Sequence, residues 1–349
     1  MAGFNDSWIP TTLSAISSYR KTHRTSTKKN YVSTENILQN YQGIERFTSD
    51  ESVSGDGFNC DDILMGNIRP YLKKVCLANF DGVCNADVLV FKSESVNPRF
   101  LHCILANDNF INYVMSSVKG SKMPRGDKGH IMQYPLSIPR AEEQAKIADF
   151  IALLNERIDT QSKIIEKLQS FMKSICHTIF NKDKTKKLGD CVVCHASTLI
   201  EADIENSPSG IYPVFGATGV IRHIDTFDIE GNAILVLKDG ANAGKIQFAK
   251  TPHSVIGTSN YLTPKDNTIL KYVYFALLDF NFDKYKVGSG IPHIYFKDYK
   301  EEKIYYPSYE KQTCIVKLLS SIENKIDLES IYLDKLKEQK KYLLSNMFI

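Results

Sequence analysis

The second half of this chain repeats the organisation of the first. Residues Gly120 to Phe180 align without a gap on Gly288 to Phe348, at a constant offset (288 − 120 = 168; 348 − 180 = 168). Gly120 and Ser121 match Gly288 and Ser289, Pro124 matches Pro292, and Pro139 matches Pro307. Glu142 and Gln144 match Glu310 and Gln312. Ile158 and Asp159 match Ile326 and Asp327, Lys167 and Leu168 match Lys335 and Leu336, and Phe180 matches Phe348. A period this long is no solenoid unit. It is a duplicated domain-plus-helix module, which suggests one task performed twice.

The repeat carries the strongest periodic signal in the chain. Ile147, Ile151, Leu154, Ile158, Gln161, Ile165, Leu168, Met172, Ile175 and Ile179 follow alternating steps of four and three, the seam of a coiled coil. The second copy reads Ile315, Leu319, Ile322, Ile326, Glu329, Leu333, Leu336, Lys340, Leu343 and Met347. No glycine or proline interrupts either run, and Pro139 and Pro307 stand just before each start, where proline is tolerated. The spacing predicts two helices of ~39 residues, each roughly 58 Å long at about 1.5 Å per residue. Neither can hide its seam alone. Antiparallel pairing within the chain would make the molecule pseudo-two-fold, with a globular domain near each end; pairing between chains, giving a dimer, is the alternative. In the centred antiparallel pair, the polar seam residues Gln161 and Glu329 would face Leu333 and Ile165, and polar seam residues commonly fix register.

The expected fold class is α+β: two mixed domains, residues 1–138 and 183–306, separated by long helices over 139–182 and 307–349. A length of 349 residues suits about two domains at roughly 150 each. In the first domain, Asp62 to Met65 and Ala86 to Phe91 read as strands, and Phe100 to Val114 reads as one amphipathic helix. In the second, Ala233 to Leu237 reads as a strand and Leu270 to Leu278 as a helix. The order is the same in both: strand, basic turn, strand, helix, Gly-Ser loop, long helix. No segment reaches ~18 consecutive apolar residues, so no membrane span is expected. Met1 to Pro10 lacks the pattern of a secretory signal, so a cytoplasmic chain is expected. The eight cysteines then read as reduced thiols.

Net charge is only +3, so local clustering matters more. Between Tyr19 and Tyr31, Arg20, Lys21, Arg24, Lys28 and Lys29 occur without an acidic residue, interleaved with hydroxyls. Such a run suits phosphate neutralisation, or else forms a solvated loop. Arg69, with Lys73 and Lys74, could reach a major groove, where arginine pairs bidentately with guanine; a solvated strand end is the alternative. Lys122 and Arg125 flank Pro124 beside flexible Gly120; in the second copy Ser289, the counterpart of Ser121, and His293, the counterpart of Arg125, stand around Pro292. Cationic or polar groups beside glycine suit close approach to a phosphate backbone. Trp8, the only tryptophan, reads as core.

Other motifs carry less. Cys191 to His195 fits the C-x-x-C-H haem pattern, which would require export, and no second cysteine pair follows at zinc-finger spacing. Gly240 to Lys245 is one residue short of a phosphate-binding loop, and Ile246 replaces the required hydroxyl; a loop that brings backbone amides and Lys245, with Lys238 beside it, near a DNA phosphate is the functional reading, and a structural turn is the simpler one. No adenine-methyltransferase tetrapeptide, Gly-rich cofactor loop, helicase motif or nuclease cluster stands out. No catalytic residue and no metal ligand is assigned.

Taken as a set, these residues resemble the specificity subunits of type I restriction-modification enzymes. The resemblance runs over essentially the whole chain. Its most specific part is the twice-used helix start, Ile138-Pro139 through Glu142 and Gln144 to Ile147, and Tyr306-Pro307 through Glu310 and Gln312 to Ile315. Asp62-Ile63-Leu64 to Ile68-Arg69-Pro70-Tyr71-Leu72 looks like that family's target recognition domains. So does Tyr212-Pro213-Val214-Phe215-Gly216-Ala217 with Lys238-Asp239-Gly240 and Gly244-Lys245. The resemblance implies a non-catalytic subunit that binds double-stranded DNA, each domain reading half of an asymmetric bipartite site, with the helices as spacer. It implies two modification subunits and restriction/translocase subunits as partners. S-adenosylmethionine, ATP and magnesium would belong to those partners, and this chain would hold no cofactor. The recognition subunit of a related system that cuts on both sides of its site is a close variant. A self-contained nuclease or methyltransferase, and a coiled-coil interaction protein without a DNA role, are the rivals.

Overall fold

The computed structural model describes residues 8–120, 122–250, 252–288 and 290–347. Ser121, Ser289 and Phe348, which the repeat invokes, lie outside them. The chain forms two compact units, residues 1–162 with 331–349, and residues 163–330. Each therefore contains one globular domain and a part of both long helices. No helix among the described residues is long and apolar enough to cross a membrane.

In the first unit, a four-stranded antiparallel sheet orders Ser17–Tyr19, Val88–Ser93, Ile63–Gly66 and Val75–Leu77 side by side. Its central strands are apolar at almost every position because both faces are covered. Side chains alternate between faces along a strand. Ile63, Met65, Leu89 and Phe91 join Leu13, Phe100, Leu101 and Phe110 in one core. Leu64, Val88 and Val90 point the other way, onto Val32, Ile37 and Phe58. A second four-stranded sheet orders His23–Thr27, Ser52–Phe58, Gly82–Cys84 and Tyr31–Val32. Trp8 is half-buried at the edge of the first core, and its indole N–H donates to Glu143 Oε1 at 3.2 Å.

The second unit repeats the first sheet strand for strand: Val192–Ala196, Ser259–Pro264, Ala233–Leu237 and Ile246–Ala249. Ile234 and Val236 face a core with Leu262, Tyr272 and Phe275. Ala233 and Leu235 face Ile229 and Val255. The helix Leu270–Leu278 stands where the sequence predicts it. The other sheet differs between units, with only three strands here, Gly219–Ile224, Ser209–Gly216 and Ser254–Val255. The haem-like pattern dissolves into this framework. Cys191 is fully buried, and His195, on an edge strand, stacks on Tyr261 and hydrogen-bonds Thr263 Oγ1 at 2.8 Å.

One expected element is wrong. Residues 100–114 do not form a single helix but belong to two, Pro98–Leu105 and Asp108–Met115. Asn107 interrupts them. Its side-chain oxygen accepts from Asn109 N at 2.8 Å, capping the second helix, while its Nδ2 donates to Leu344 O at 2.7 Å. A buried amide with partners on both sides outweighs continuation of the helix.

The long helices run Ala141–Phe180 and Tyr309–Met347, 40 and 39 residues. Every expected seam position is buried or half-buried, including Leu154, Ile158, Ile165, Leu168, Leu333 and Leu336. In the first unit, Ile147 joins the domain core and Ile151 packs with Cys103 and Leu344. In the second, Met172, Cys176 and Phe180 share a core with Ile315 and Leu319, and Ile322 and Ile326 pack against it. The repeated glutamine explains the repeated helix start. Gln144 Nε2 donates to Pro139 O at 2.9 Å, and Gln312 Nε2 donates to Pro307 O at 2.8 Å. Each side chain folds back and satisfies the carbonyl that the proline leaves at the helix mouth.

Two outcomes follow for stability. Gln144 also accepts from Asn97 N at 3.0 Å, so Gln144→Ala should cost about 2 kcal/mol and Gln312→Ala about 1 kcal/mol in denaturant unfolding. His102 Nε2 is buried without a hydrogen-bond partner among the described residues. Burial, and secondarily the Lys340 ammonium, pulls its pKa from the ordinary 6.5 to about 4. A histidine held neutral contributes stability that is full above pH 6.5 and is lost as pH falls from there toward 4. His102→Asn should flatten that acid limb in a pH series of thermal melts.

Candidate nucleic-acid interface

Both units build the same small cradle at the end of the same strand. In the first unit, strand Ile63–Gly66 runs into a basic turn containing the single-turn helix Pro70–Leu72. Lys119 and Arg125 are paired through Lys119 N to Arg125 O and Arg125 N to Lys119 O, both 3.0 Å, and so close a narrow loop. The turn grips this loop through Arg69 N to Pro124 O at 2.8 Å, Gly126 N to Asn67 O at 3.4 Å, and a bridge between Ile68 and Arg125. In the second unit, strand Ala233–Leu237 runs into the turn 238–245, and Val287 and His293 close the corresponding loop at 2.9 and 2.8 Å. Here Gly240 N donates to Pro292 O at 2.9 Å, Ile294 N to Lys238 O at 2.9 Å, and Asp239 bridges His293. Gly120 and Gly288 are left-handed, with φ of 89° and 98°. A Cβ on Gly288 would lie 2.8 Å from Ile291 O, so only glycine fits there.

The frames agree while the side chains differ. Asn67, Ile68, Arg69 and Arg125 stand where Lys238, Asp239, Gly240 and His293 stand in the other unit. Arg69 is exposed and left-handed at φ 51°, an uncommon conformation for a residue with a side chain. Arg125 is held by Asp87 at 2.9 Å, and His293 by Asp239 at 2.8 Å, in half-exposed pairs that can exchange for a phosphate. Lys122 and Lys245 are exposed. Lys119 hydrogen-bonds Asp127 and, with the His130 and Gly129 amides, holds that carboxyl at about 2. The turn Gly240 to Lys245 is an ordinary hairpin between two paired strands, in which the Ala243, Lys245 and Gly244 amides donate to Gly240 O, Asn242 O and Leu237 O.

The run Tyr19 to Tyr31 is no loop. Arg24 lies on strand His23–Thr27 and donates to Asn59 Oδ1 at 2.7 Å. Lys28 lies over the rings of Tyr31 and Phe47, Lys29 pairs with exposed Asp50 at 2.6 Å, and Lys21 is exposed. Two candidate cations, Arg20 of the basic run and Lys73 of the turn after Arg69, have carboxylate partners within the fold. Arg20 pairs with buried Asp62 at 2.6 Å, and Lys73 pairs with Asp108 at 2.8 Å. Sequence reasoning passed over Lys119, exposed Tyr71, and the loop residues Met123 and Ile291. Extending the repeat one residue before Gly120 would have found Lys119.

A family model described as the type I restriction modification DNA specificity domain matches the chain twice, over residues 15–170 and 181–338. The chain is similar to the type I restriction enzyme EcoDI specificity subunit of Escherichia coli, 26% identical over 125 residues, which is 36% of this chain and 28% of that protein. It is also similar to the MjaVIII specificity subunit of Methanocaldococcus jannaschii, 32% identical over 124 residues, 34% of this chain and 29% of that protein. These matches span less than a third of either relative's own length. Its fold is that of the S subunit of a type I restriction-modification system from M. genitalium, with a TM-score of 0.63 at 16% identity over 100% of this chain and 98% of that one. A chain from a structural study of assembly and conformational transition in the type I system gives 0.59 at 16% identity, over 97% and 96%.

The two kinds of cation should separate on substitution. Arg20→Ala leaves the buried Asp62 carboxylate without its cation, the Asn59 amide still donating to it, and should cost roughly 3 kcal/mol in unfolding. Lys122→Ala should leave stability unchanged. It should weaken duplex binding similarly on all sequences and lower the slope of log affinity against log salt by about one.

Proposed function

The chain belongs to the family of type I restriction modification DNA specificity domains, and on that footing we propose that it is the sequence-reading subunit of a type I restriction-modification complex. Each unit grips one half of an asymmetric, bipartite DNA site. The observation that carries this reading is the doubled family match laid over two cradles of one backbone design and unlike side chains. One frame used twice supplies two DNA contacts, and divergent side chains let them read different bases.

The long helices are the spacer, paired antiparallel within the chain in a pseudo-two-fold arrangement. Support comes from within each unit. The start of the first helix packs with the end of the second around Ile151 and Leu344, and its end packs with the start of the second around Met172 and Leu319. Two weak reading heads on a stiff spacer gain affinity only when half-site spacing fits. The chain is non-catalytic and works in the cytoplasm. Two modification subunits and restriction/translocase subunits dock on it, bringing S-adenosylmethionine, ATP and magnesium. Methylating a base requires a pocket for the flipped base and the methyl donor, which the modification subunits supply.

Selection of random duplexes by the chain purified with its modification partners should enrich two unlike short motifs at one fixed gap. Affinity should fall steeply with salt. One uninterrupted motif, or no enrichment, would contradict the reading.

A further inference from the structure

Each cradle presents a large apolar side chain with no apolar cover. Met123 is 53% exposed and Ile291 is 63% exposed. They occupy the same place in the repeat (291 − 123 = 168), one residue before Pro124 and Pro292. A single exposed apolar residue on a surface needs no explanation. These two differ from that case because their neighbours have changed and their character has not. Lys122 has become Gly290 and Arg125 has become His293, yet an unbranched or branched aliphatic side chain is kept at the loop's end.

The backbone behind them is fixed. A pair of main-chain hydrogen bonds closes each loop, a left-handed glycine turns it, and the following proline carbonyl is held by Arg69 N or Gly240 N. The side chain is thus carried on a rigid support, beside the cations of the cradle. The Met123 loop carries Lys119, Lys122 and Arg125, of which Lys119 pairs with Asp127 and Arg125 with Asp87, and it is held by the main chain of Arg69; the Ile291 loop is held by the main chain of Lys238, and its His293 pairs with Asp239. Exposed Lys122 and Arg69 beside the apolar tip of Met123 match stacked bases within a polyanionic backbone, and Ile291 takes the same place on the same main-chain frame. An apolar protein pocket would not require these cations.

We propose that Met123 and Ile291 are wedges, each entering one base-pair step of its half-site and partly unstacking it. The proposal rests on the DNA-recognition reading above. Apolar side chains inserted between base steps kink a duplex, and the distortion is set against the extra protein surface the bent duplex can meet. The deformation is easiest at flexible pyrimidine–purine steps, so each wedge adds selectivity without a hydrogen bond to a base edge.

The test uses the complex with its modification partners and its own selected site, with 2-aminopurine placed in turn at successive steps of each half and away from the methylated adenines. Wild-type complex should raise the fluorescence at one step in each half. Met123→Ala should abolish the rise in one half only, Ile291→Ala in the other only, each with a loss of affinity on the order of tenfold. Met123→Leu should restore both signals, and the salt slope should stay unchanged in all variants because phosphate contacts remain. If wild type binds its site but the alanine variants give the same fluorescence and affinity, the wedge is overturned and DNA recognition stands. If the variants instead lose partner subunits while keeping the fluorescence, the tips dock protein and the proposal is again overturned. Failure of wild type to bind any duplex would overturn the recognition reading, and the wedge with it.

Discussion

Neither long helix can bury its own apolar stripe, and the rest of the architecture answers to that constraint. Helices of 40 and 39 residues with a seam at every third and fourth position are unstable in water unless something covers the seam. Here the cover is shared. In each unit the globular core runs directly into the seam, so that Cys103 meets Ile151 and Leu344, and Tyr272 and Phe275 share a core with Met172 and Leu319. Domain and helix are therefore one folding unit. The glutamine clasp at each helix start, with Gln144 and Gln312 each bonded to a proline carbonyl, sets where the helix leaves the domain.

That rigid base is what permits the cradle above it to vary. The sheet of four strands has the same order in both units, and the turn-and-loop cradle at its end keeps the same main-chain bonds. Main-chain bonds are indifferent to side-chain identity, so Arg69 can stand opposite Gly240 in the comparison, and Arg125 opposite His293, without loss of the frame. The second sheets, by contrast, differ in strand number and order. Under the proposed function, recognition that must change between targets would sit on the parts of the fold that tolerate change.

Much of this was legible in the sequence because it is periodic. The seam follows from spacing alone, and both helices begin two residues after the prolines that mark them. Ala233–Leu237 and Leu270–Leu278 were read residue for residue. What failed was local and tertiary. Helicity through Asn107 looked continuous because the flanking apolar pattern holds, and the partner that stops it, Leu344 O, is distant in sequence. The partners of Arg20 and Lys73 are not visible in the sequence because their carboxylates, Asp62 and Asp108, arrive by folding. Charge density in a sequence does not reveal which cations find a partner within the fold. Met123 and Ile291 were passed over because an aliphatic residue in a loop carries no chemical signature until its exposure is known.

The central claim is that one chain sets the distance between two reading heads with its own helices. A matched insertion of one heptad into both helices, after Ser162 and before Ile331, keeps the seam in phase and lengthens the spacer by about 10 Å at roughly 1.5 Å per residue. At about 3.4 Å per base pair, the account predicts that random-duplex selection returns the same two half-site motifs with the gap widened by about three base pairs. An unchanged gap, or altered half-site motifs at the old spacing, would contradict it.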